Sequence, residues 1–278
     1  MYKTLAPGCI GHPLPLRDIA PVAAKHGFEG IWFDLPLDSK PDIGETRDLM
    51  ARHSLKAAGF TLPGDYRKDE ATYSECIKSL ESYVRYAREA GMERCITWIY
   101  PSSSTMDYAE NFEFHRRRLA WPAEILKEYG IYLGLEFIGP PKLRRGVKHE
   151  FIHNLDQMME LCTAIGTGNV GLLMDVFHWD LAGQTFADFK KIPDEKWIVH
   201  AHIMDAPAGV PPEEQEDGVR CLPGATGVLR TAEFFQGLKD LGYTGPVQPE
   251  PFSPWLADLS FDDAVARVGA ALDSVWPG

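Results

Sequence analysis

Eight short apolar runs recur along the chain, and between them the apolar positions spread out to helical spacing. The clearest run, Gly171-Leu-Leu-Met-Asp175, is uninterrupted up to its aspartate, as a parallel strand covered on both faces requires. The pattern predicts strands at Thr4–Ile10, Gly30–Asp34, Leu55–Phe60, Cys95–Tyr100, Ile131–Glu136, Gly171–Asp175, Trp197–Met204 and Pro246–Pro251. Helices are predicted at Leu16–His26, Ile43–His53, Glu70–Ala90, Tyr108–Tyr129, Leu155–Ile165, Phe186–Lys190, Thr231–Leu241 and Phe261–Val275. In the third of these, Ile77, Leu80, Val84 and Ala87 fall on one face. Gly27, Gly91 and Gly130 stand where helices should stop. A polar, proline-containing turn joins the second strand to the second helix, and a loop from Asp175 through Asp180 is expected after the sixth strand. The longest loop, Asp205–Gly227, is rich in Pro, Gly and Glu, and loops of that length in a compact domain are usually functional.

Strands alternating with helices imply a parallel sheet with right-handed crossovers. Eight such units in about 250 residues fit a closed (β/α)8 TIM barrel, here one α/β domain over residues 1–278. Neither a G-x-G-x-x-G after the first strand nor a Walker sequence is present, which argues against a nucleotide-binding open sheet.

Composition narrows the partners. With 40 acidic and 28 basic residues the formal net charge is −12, which repels phosphate backbones and anionic membranes. Neither nucleic acid nor a membrane is an expected partner. The five scattered cysteines form no C-x-x-C pair and read as reduced thiols. The N-terminus lacks the apolar region of a signal peptide, and no apolar run approaches the roughly 18 residues of a membrane span. A cytoplasmic protein is expected, with a homo-oligomer compatible with this reading.

The chemistry is concentrated at the predicted strand ends. In a TIM barrel the active site forms at the C-terminal ends of the strands. Glu136, Asp175, His202 and Glu250 each end one of four successive strands, so they should converge on one rim. Three carboxylates brought together repel one another unless a cation neutralises them. With one imidazole they make an oxygen-rich site for one divalent ion, Mn²⁺, Mg²⁺ or Co²⁺ first, with Zn²⁺ or Fe²⁺ also compatible. His200 lies two residues before His202 and on the same side of the strand, but deeper, so His202 is taken as the ligand. His178, three residues past Asp175, should overhang the site and touch substrate. Trp32, Trp98 and Trp179 fall near strand ends and could stack against the C–H faces of a sugar. Lys142, Arg144, Arg145 and Lys148 form a basic loop on an acidic protein, which could attract an anionic substrate.

These residues carry a family resemblance. The chain resembles the xylose-isomerase-like TIM barrels, which include sugar isomerases, ketose 3-epimerases, inosose dehydratases and type-two AP endonucleases. The resemblance rests on Leu135-Glu136, Asp175-x-x-His178, His202-Ile-Met-Asp205, Arg220-x-x-Pro-Gly224, and Gly242-Tyr-x-Gly245 leading to Glu250. It covers the second half of the chain; the first half shares only the strand–helix rhythm. It implies Glu136, Asp175, His202 and Glu250 as metal ligands, and His178 with Arg220 as a substrate-binding pair. The chain departs from the family's Pro-Gly-x-Gly by one extra residue in Pro223-Gly-Ala-Thr-Gly227. Where ketose 3-epimerases place a second glutamate, six residues past the strand-five ligand, this chain has Lys142. The extra histidines of the three-metal endonuclease site are not evident, and Arg220 stands where such a ligand would be expected.

The reaction implied is isomerisation or epimerisation of a sugar or sugar derivative. Glu136 and Glu250, facing each other across the substrate, would remove and return a carbon-bound proton while the ion stabilises the enediolate oxygen. A lyase acting on a keto-sugar or keto-inositol could use the same residues. A sugar-binding or structural subunit without turnover is the reading from another class.

Overall fold

In a computed structural model, residues 1–34 and 41–278 are described, so the expected turn between the second strand and second helix lies outside the described residues. Eight parallel strands close into a barrel: β1 (Tyr2–Leu5), β2 (Gly30–Trp32), β3 (Lys56–Thr61), β4 (Arg94–Ile99), β5 (Tyr132–Phe137), β6 (Val170–Asp175), β7 (Ile198–Ile203) and β8 (Pro246–Pro249). Each pairs with its sequence neighbours, and β8 pairs with β1 to close the ring. Around them run α1 (Leu16–Lys25), α2 (Ile43–Arg52), α3 (Glu70–Glu89), α4 (Tyr108–Glu128), α5 (Leu155–Ile165), α6 (Val176–Leu181), α7 (Thr231–Asp240) and α8 (Phe261–Val275). The TIM barrel expected from the pattern is the fold observed.

Strand parity divides the core in two. Outward residues such as Leu133, Leu135, Leu172 and Met174 pack under the helices. The barrel lumen is plugged by Tyr2, Ala6, Trp32, Ala58, Ile96 and Leu173. Space inside is tight: a Cβ on Gly134 would meet Val199 Cβ at 2.9 Å. Several helices start where short polar side chains satisfy their first N–H groups. Asp69 caps α3, Asn154 caps α5, Ser260 caps α8, and Asp107 with Glu110 forms a capping box on α4.

Several elements differ from the expected pattern. The first strand ends at Leu5, because Pro7 has no N–H for the ladder and its fixed φ opens a 3-10 turn over Pro7–Ile10, closed by Gly11 at φ 79°. The eighth strand stops at Pro249, one residue before Glu250, and Pro251 beyond it has no N–H to carry the ladder on. Residues 102–103 pair antiparallel with 149–150, a small ribbon on the C-terminal face that no hydrophobic pattern announces. The segment after β6 is a helix, not a loop. Asp175 turns the chain there: its Oδ1 accepts from the N–H groups of Phe177 and His178 at 2.7 and 3.1 Å and starts α6.

Candidate metal centre

β5, β6, β7 and β8 are consecutive around the barrel, so their C-terminal ends lie on one arc of the rim. Asp175 stands in register with His202, and His202 with Gln248, one residue pair below Glu250. The backbone N–H of Glu250 donates to Ile203 O at 3.1 Å, which holds Glu250 beside the end of β7. The four expected ligands therefore meet. One donor atom from each of Glu136, Asp175, His202 and Glu250 lies within 4.8 Å of the other three, and all four residues are buried. Nδ1 of His202 is 3.4 Å from Glu136 Oε1, 3.5 Å from Asp175 Oδ2 and 3.4 Å from Glu250 Oε2.

That spacing can be tested against an ion. Ligand bonds of about 2.1 Å set tetrahedrally give donor–donor edges of about 3.4 Å. The three edges at His202 match this. Two of the four donor atoms, Glu136 Oε1 and His202 Nδ1, are buried without a hydrogen-bond partner, which is costly unless something else satisfies them. The donor set and its spacing fit a divalent cation.

Without an ion, charge in the cluster is balanced by Arg220 and His202. The Nη1 of Arg220 donates to Asp175 Oδ2 at 3.0 Å and to Glu250 Oε2 at 2.8 Å. Its Nη2 donates to Asp217 Oδ1 at 2.7 Å and lies 3.1 Å from His178 Nε2. The guanidinium is clamped between the rings of Phe177 and Phe252, each 4.8 Å away. Burial opposes ionisation of Asp175, but Arg220, His178 and His202 outweigh it and hold its carboxyl well below the usual range. Burial also opposes ionisation of Glu250, and His202 with Arg220 overrides it in the same direction. Glu136, which Arg220 does not touch, goes the other way: burial raises it and the two histidines recover only part. Burial disfavours a charged His202, yet Glu250, Asp175 and Glu136 push its pKa well above the normal value.

His178 joins this network from the first turn of α6. Its Nε2 is 3.4 Å from Asp217 Oδ1 and 4.0 Å from Glu136 Oε1, and its Nδ1 is buried without a partner. Its backbone comes so close to the loop after β5 that a Cβ on Gly139 would sit 2.1 Å from His178 O. The structure thus brings His178 and Arg220 together over the cluster.

The three tryptophans separate. Trp98 pairs in register with Glu136 on β4, stays 41% exposed at the mouth, and is covered by the Arg67 guanidinium at 4.6 Å. Trp32 is buried in the lumen against His200, with ring centroids 4.4 Å apart, and lines a cavity of about 380 Å³ with Cys9, Asp34, Thr61, Gln248 and Glu250. Trp179 does not reach the mouth. Its ring is fully buried among Phe189, Phe234 and Arg230, because α6 turns that face of the chain toward α7.

The basic loop is also placed differently from the expectation. Lys142 Nζ bonds Glu216 at 2.5 Å, and Arg145 bonds Glu214 at 2.7 Å and the Glu213 carbonyl at 2.8 Å. Lys142 is therefore an ion-pair partner of the Asp205–Gly227 loop. That loop is organised by Asp205, whose carboxylate accepts from the N–H groups of Ala206, Thr226, Gly227 and Leu229 at 2.7–3.1 Å. The extra residue of Pro223-Gly-Ala-Thr-Gly227 is taken up in this turn, since both Thr226 and Gly227 point N–H groups at Asp205 Oδ2.

Four contributors were not legible as site residues: Asp217, Gln248, Cys9 and Phe252. Cys9 Sγ lies 3.7 Å from Glu250 Oε1. Phe252 takes a left-handed backbone at φ 38°, a strained conformation for an aromatic residue, and so delivers its ring to Arg220.

The family model described as xylose isomerase-like TIM barrel matches residues 20–273. The chain belongs to the xylose isomerase-like TIM-barrel family. Within it, an inosose isomerase of Halalkalibacterium halodurans is 28% identical over 199 residues, 71% of this chain and 67% of that one. A xylose isomerase domain protein from Alicyclobacillus acidocaldarius superposes with a TM-score of 0.86 at 25% identity, covering 99% of this chain and 98% of its own. The IolI protein, whose structure holds a zinc atom, gives a TM-score of 0.81 at 20% identity over 99% of this chain and 98% of IolI. Among the described residues no helix is long and apolar enough to cross a membrane.

Proposed function

We propose that this xylose isomerase-like barrel is a divalent-metal-dependent isomerase or epimerase of an uncharged keto-sugar or cyclic keto-polyol. It is an enzyme of the isomerase/epimerase type, and the observation that carries the finer reading is the four-donor cluster at the ends of four consecutive strands. Glu136, Asp175, His202 and Glu250 would hold the ion. Three carboxylates and an imidazole suit Mn²⁺, Mg²⁺ or Co²⁺, and the zinc atom in IolI supports Zn²⁺ as a further choice. A divalent ion there supplies Lewis-acid stabilisation of oxygen charge that develops when the neighbouring carbon is deprotonated.

The chain's own residues supply the proton transfers. Glu136 and Glu250 reach the site from β5 and from the end of β8, with β6 and β7 between them, an order that supports their approaching a substrate from different sides. One takes the proton from carbon and the other returns one to the adjacent carbon or the opposite face. His178 and Arg220 stand over the cluster, and an N–H of Arg220 would reach a substrate oxygen in exchange for one of its present acceptors, Asp175, Glu250, Asp217 or His178. Trp98, exposed beside Glu136, supplies a flat apolar wall for a sugar's C–H face.

Charge bookkeeping supports an uncharged substrate. Arg220 is shared by Asp175, Glu250 and Asp217, Lys142 by Glu214 and Glu216, Arg145 pairs with Glu214, and Arg67 with Asp65. A sugar phosphate bound by any of these four cations would have to displace a carboxylate, on a chain already at −12. The inosose isomerase relatives make a keto-inositol the first compound to try.

The test pairs metal analysis with solvent exchange. Native protein should carry about one divalent ion per chain, and Asp175→Asn should carry none. Loaded protein in D₂O should then exchange the carbon-bound proton next to the carbonyl of an inosose or ketose, seen by proton NMR. Absence of metal from native protein soaked in Mn²⁺, Co²⁺ and Zn²⁺ would sink the metal reading; metal without exchange on any ketose or inosose would sink the isomerase chemistry.

A further inference from the structure

His202 directs Nδ1 at the three carboxylates, so its other ring nitrogen needs a partner in a dry interior. That nitrogen, Nε2, lies 3.3 Å from Nε2 of the Gln248 amide, which also lies 3.7 Å from Cys9 Sγ. Oε1 of the same amide lies 3.2 Å from Nε2 of His200. All three side chains are buried. Gln248 stands in register with His202 across the β7–β8 pair, and His200 is one pleat deeper on β7. The two imidazoles are perpendicular with centroids 4.9 Å apart, and Trp32 covers His200 from below. The result is a row of polar side chains running from the cluster into the lumen.

Counting protons decides how the row is wired. When Nδ1 of His202 gives its lone pair to a cation, the ring's single proton is on Nε2, which must donate. As placed, the amide turns its NH₂ to His202 and its oxygen to His200, and a half-turn about its last bond exchanges the two. Only the oxygen accepts. With Oε1 facing His202, the amide NH₂ faces His200 Nε2, which must then be the acceptor, leaving the His200 proton on Nδ1, a buried atom with no hydrogen-bond partner. A metal-bound histidine whose outer N–H is held by such an acceptor is fixed in ring orientation and made more basic.

We propose that Gln248 is the positioning residue of the metal centre: its amide oxygen selects the His202 tautomer that binds a cation, and its NH₂ fixes His200 as the neutral Nδ1–H form. Gln248 acts through His202 and touches neither ion nor substrate. The inference rests on the metal site proposed above, and concerns cation capture only, so it can fail while that reading stands.

The experiment compares native protein, Gln248→Leu and Gln248→Glu, each checked for folding by circular dichroism. Zinc and manganese dissociation constants are measured, and imidazole nitrogen shifts are recorded by ¹⁵N NMR on the zinc-loaded native protein. Removal of the acceptor in Gln248→Leu should weaken zinc binding roughly 10- to 100-fold, while Gln248→Glu, which keeps an acceptor, stays within a few-fold of native. The spectrum should show His202 protonated on Nε2 and His200 on Nδ1. A folded Gln248→Leu that binds zinc like the native protein overturns the inference and leaves the metal site intact. So does a native spectrum with the His200 proton on Nε2, an observation that needs no variant. Native protein that captures neither ion overturns the metal site itself.

Discussion

Carboxylates this deeply buried stay ionised only beside a counter-charge, and Arg220 provides it for two of them. Its Nη1 touches Asp175 and Glu250 together, while Glu136, outside its reach, is raised by burial. Removing one partner of a buried charge network leaves the others uncompensated, at a cost of about 3–5 kcal/mol. Arg220→Met should therefore lower the stability of the metal-free protein by about 3 kcal/mol in urea unfolding. Added Mn²⁺ should recover much of that loss, because the cation replaces the missing charge between Asp175 and Glu250. A variant as stable as native without metal would show that His202 alone balances the cluster. Lys142 shows the same rule at the surface: a cation's neighbours in space, here Glu214 and Glu216, determine what its charge is available for.

At the scale of elements, the decisive piece is the loop from Asp205 to Gly227, which brings Asp217 and Arg220 back over the cluster. One carboxylate gathers four backbone N–H groups from its two ends, and an isolated β-bridge between Asp205 and Cys221 crosses it. Ion pairs from Lys142 and Arg145 tie its outer edge to the loop after β5, but they are exposed, and such pairs contribute little. The prediction follows from that contrast. Asp205→Ala should cost about 3 kcal/mol of stability, since it leaves several N–H groups without an acceptor. It should also open the loop to limited proteolysis between residues 206 and 226. An uncut loop in the variant would mean that the cross-loop ion pairs hold it after all. The motif His202-Ile-Met-Asp205 thus carries two tasks on one strand end, with a cluster donor first and a loop anchor three residues later.

For the whole molecule, the cluster joins the C-terminal ends of four of the eight strands at one point, so an ion bound there links half the barrel. A ligand that binds only the folded state adds about 2.7 kcal/mol at 100 times its dissociation constant. Mn²⁺ or Zn²⁺ at that excess should raise the midpoint of thermal unfolding by roughly 5 °C, and a chelator should reverse the shift. Asp175→Asn should show no shift at the same concentration. An equal shift in both proteins would place the stabilising ion elsewhere on this acidic chain.

The alternation of apolar runs with helical spacing is a local property, so the eight strands, seven of the eight α-helices described above and the barrel were legible in the sequence. So was the identity of the four donors, since Glu136, Asp175, His202 and Glu250 each interrupt or end an apolar strand where a polar group needs a reason. What the sequence could not carry was direction and company. Trp32, Trp98 and Trp179 look alike as strand-end aromatics, yet one plugs the lumen, one faces the mouth and one packs under α7, because each follows its own backbone turn. The helix after Asp175 was hidden because the capping residue also serves as a cluster donor, one oxygen for each task. Gln248 and Asp217 acquire meaning only across strands and loops far apart in the chain, through contacts that no spacing along the sequence encodes. Propensity and periodicity settle which elements form; the pairing of distant side chains is decided by the closure of the barrel and the path of its loops.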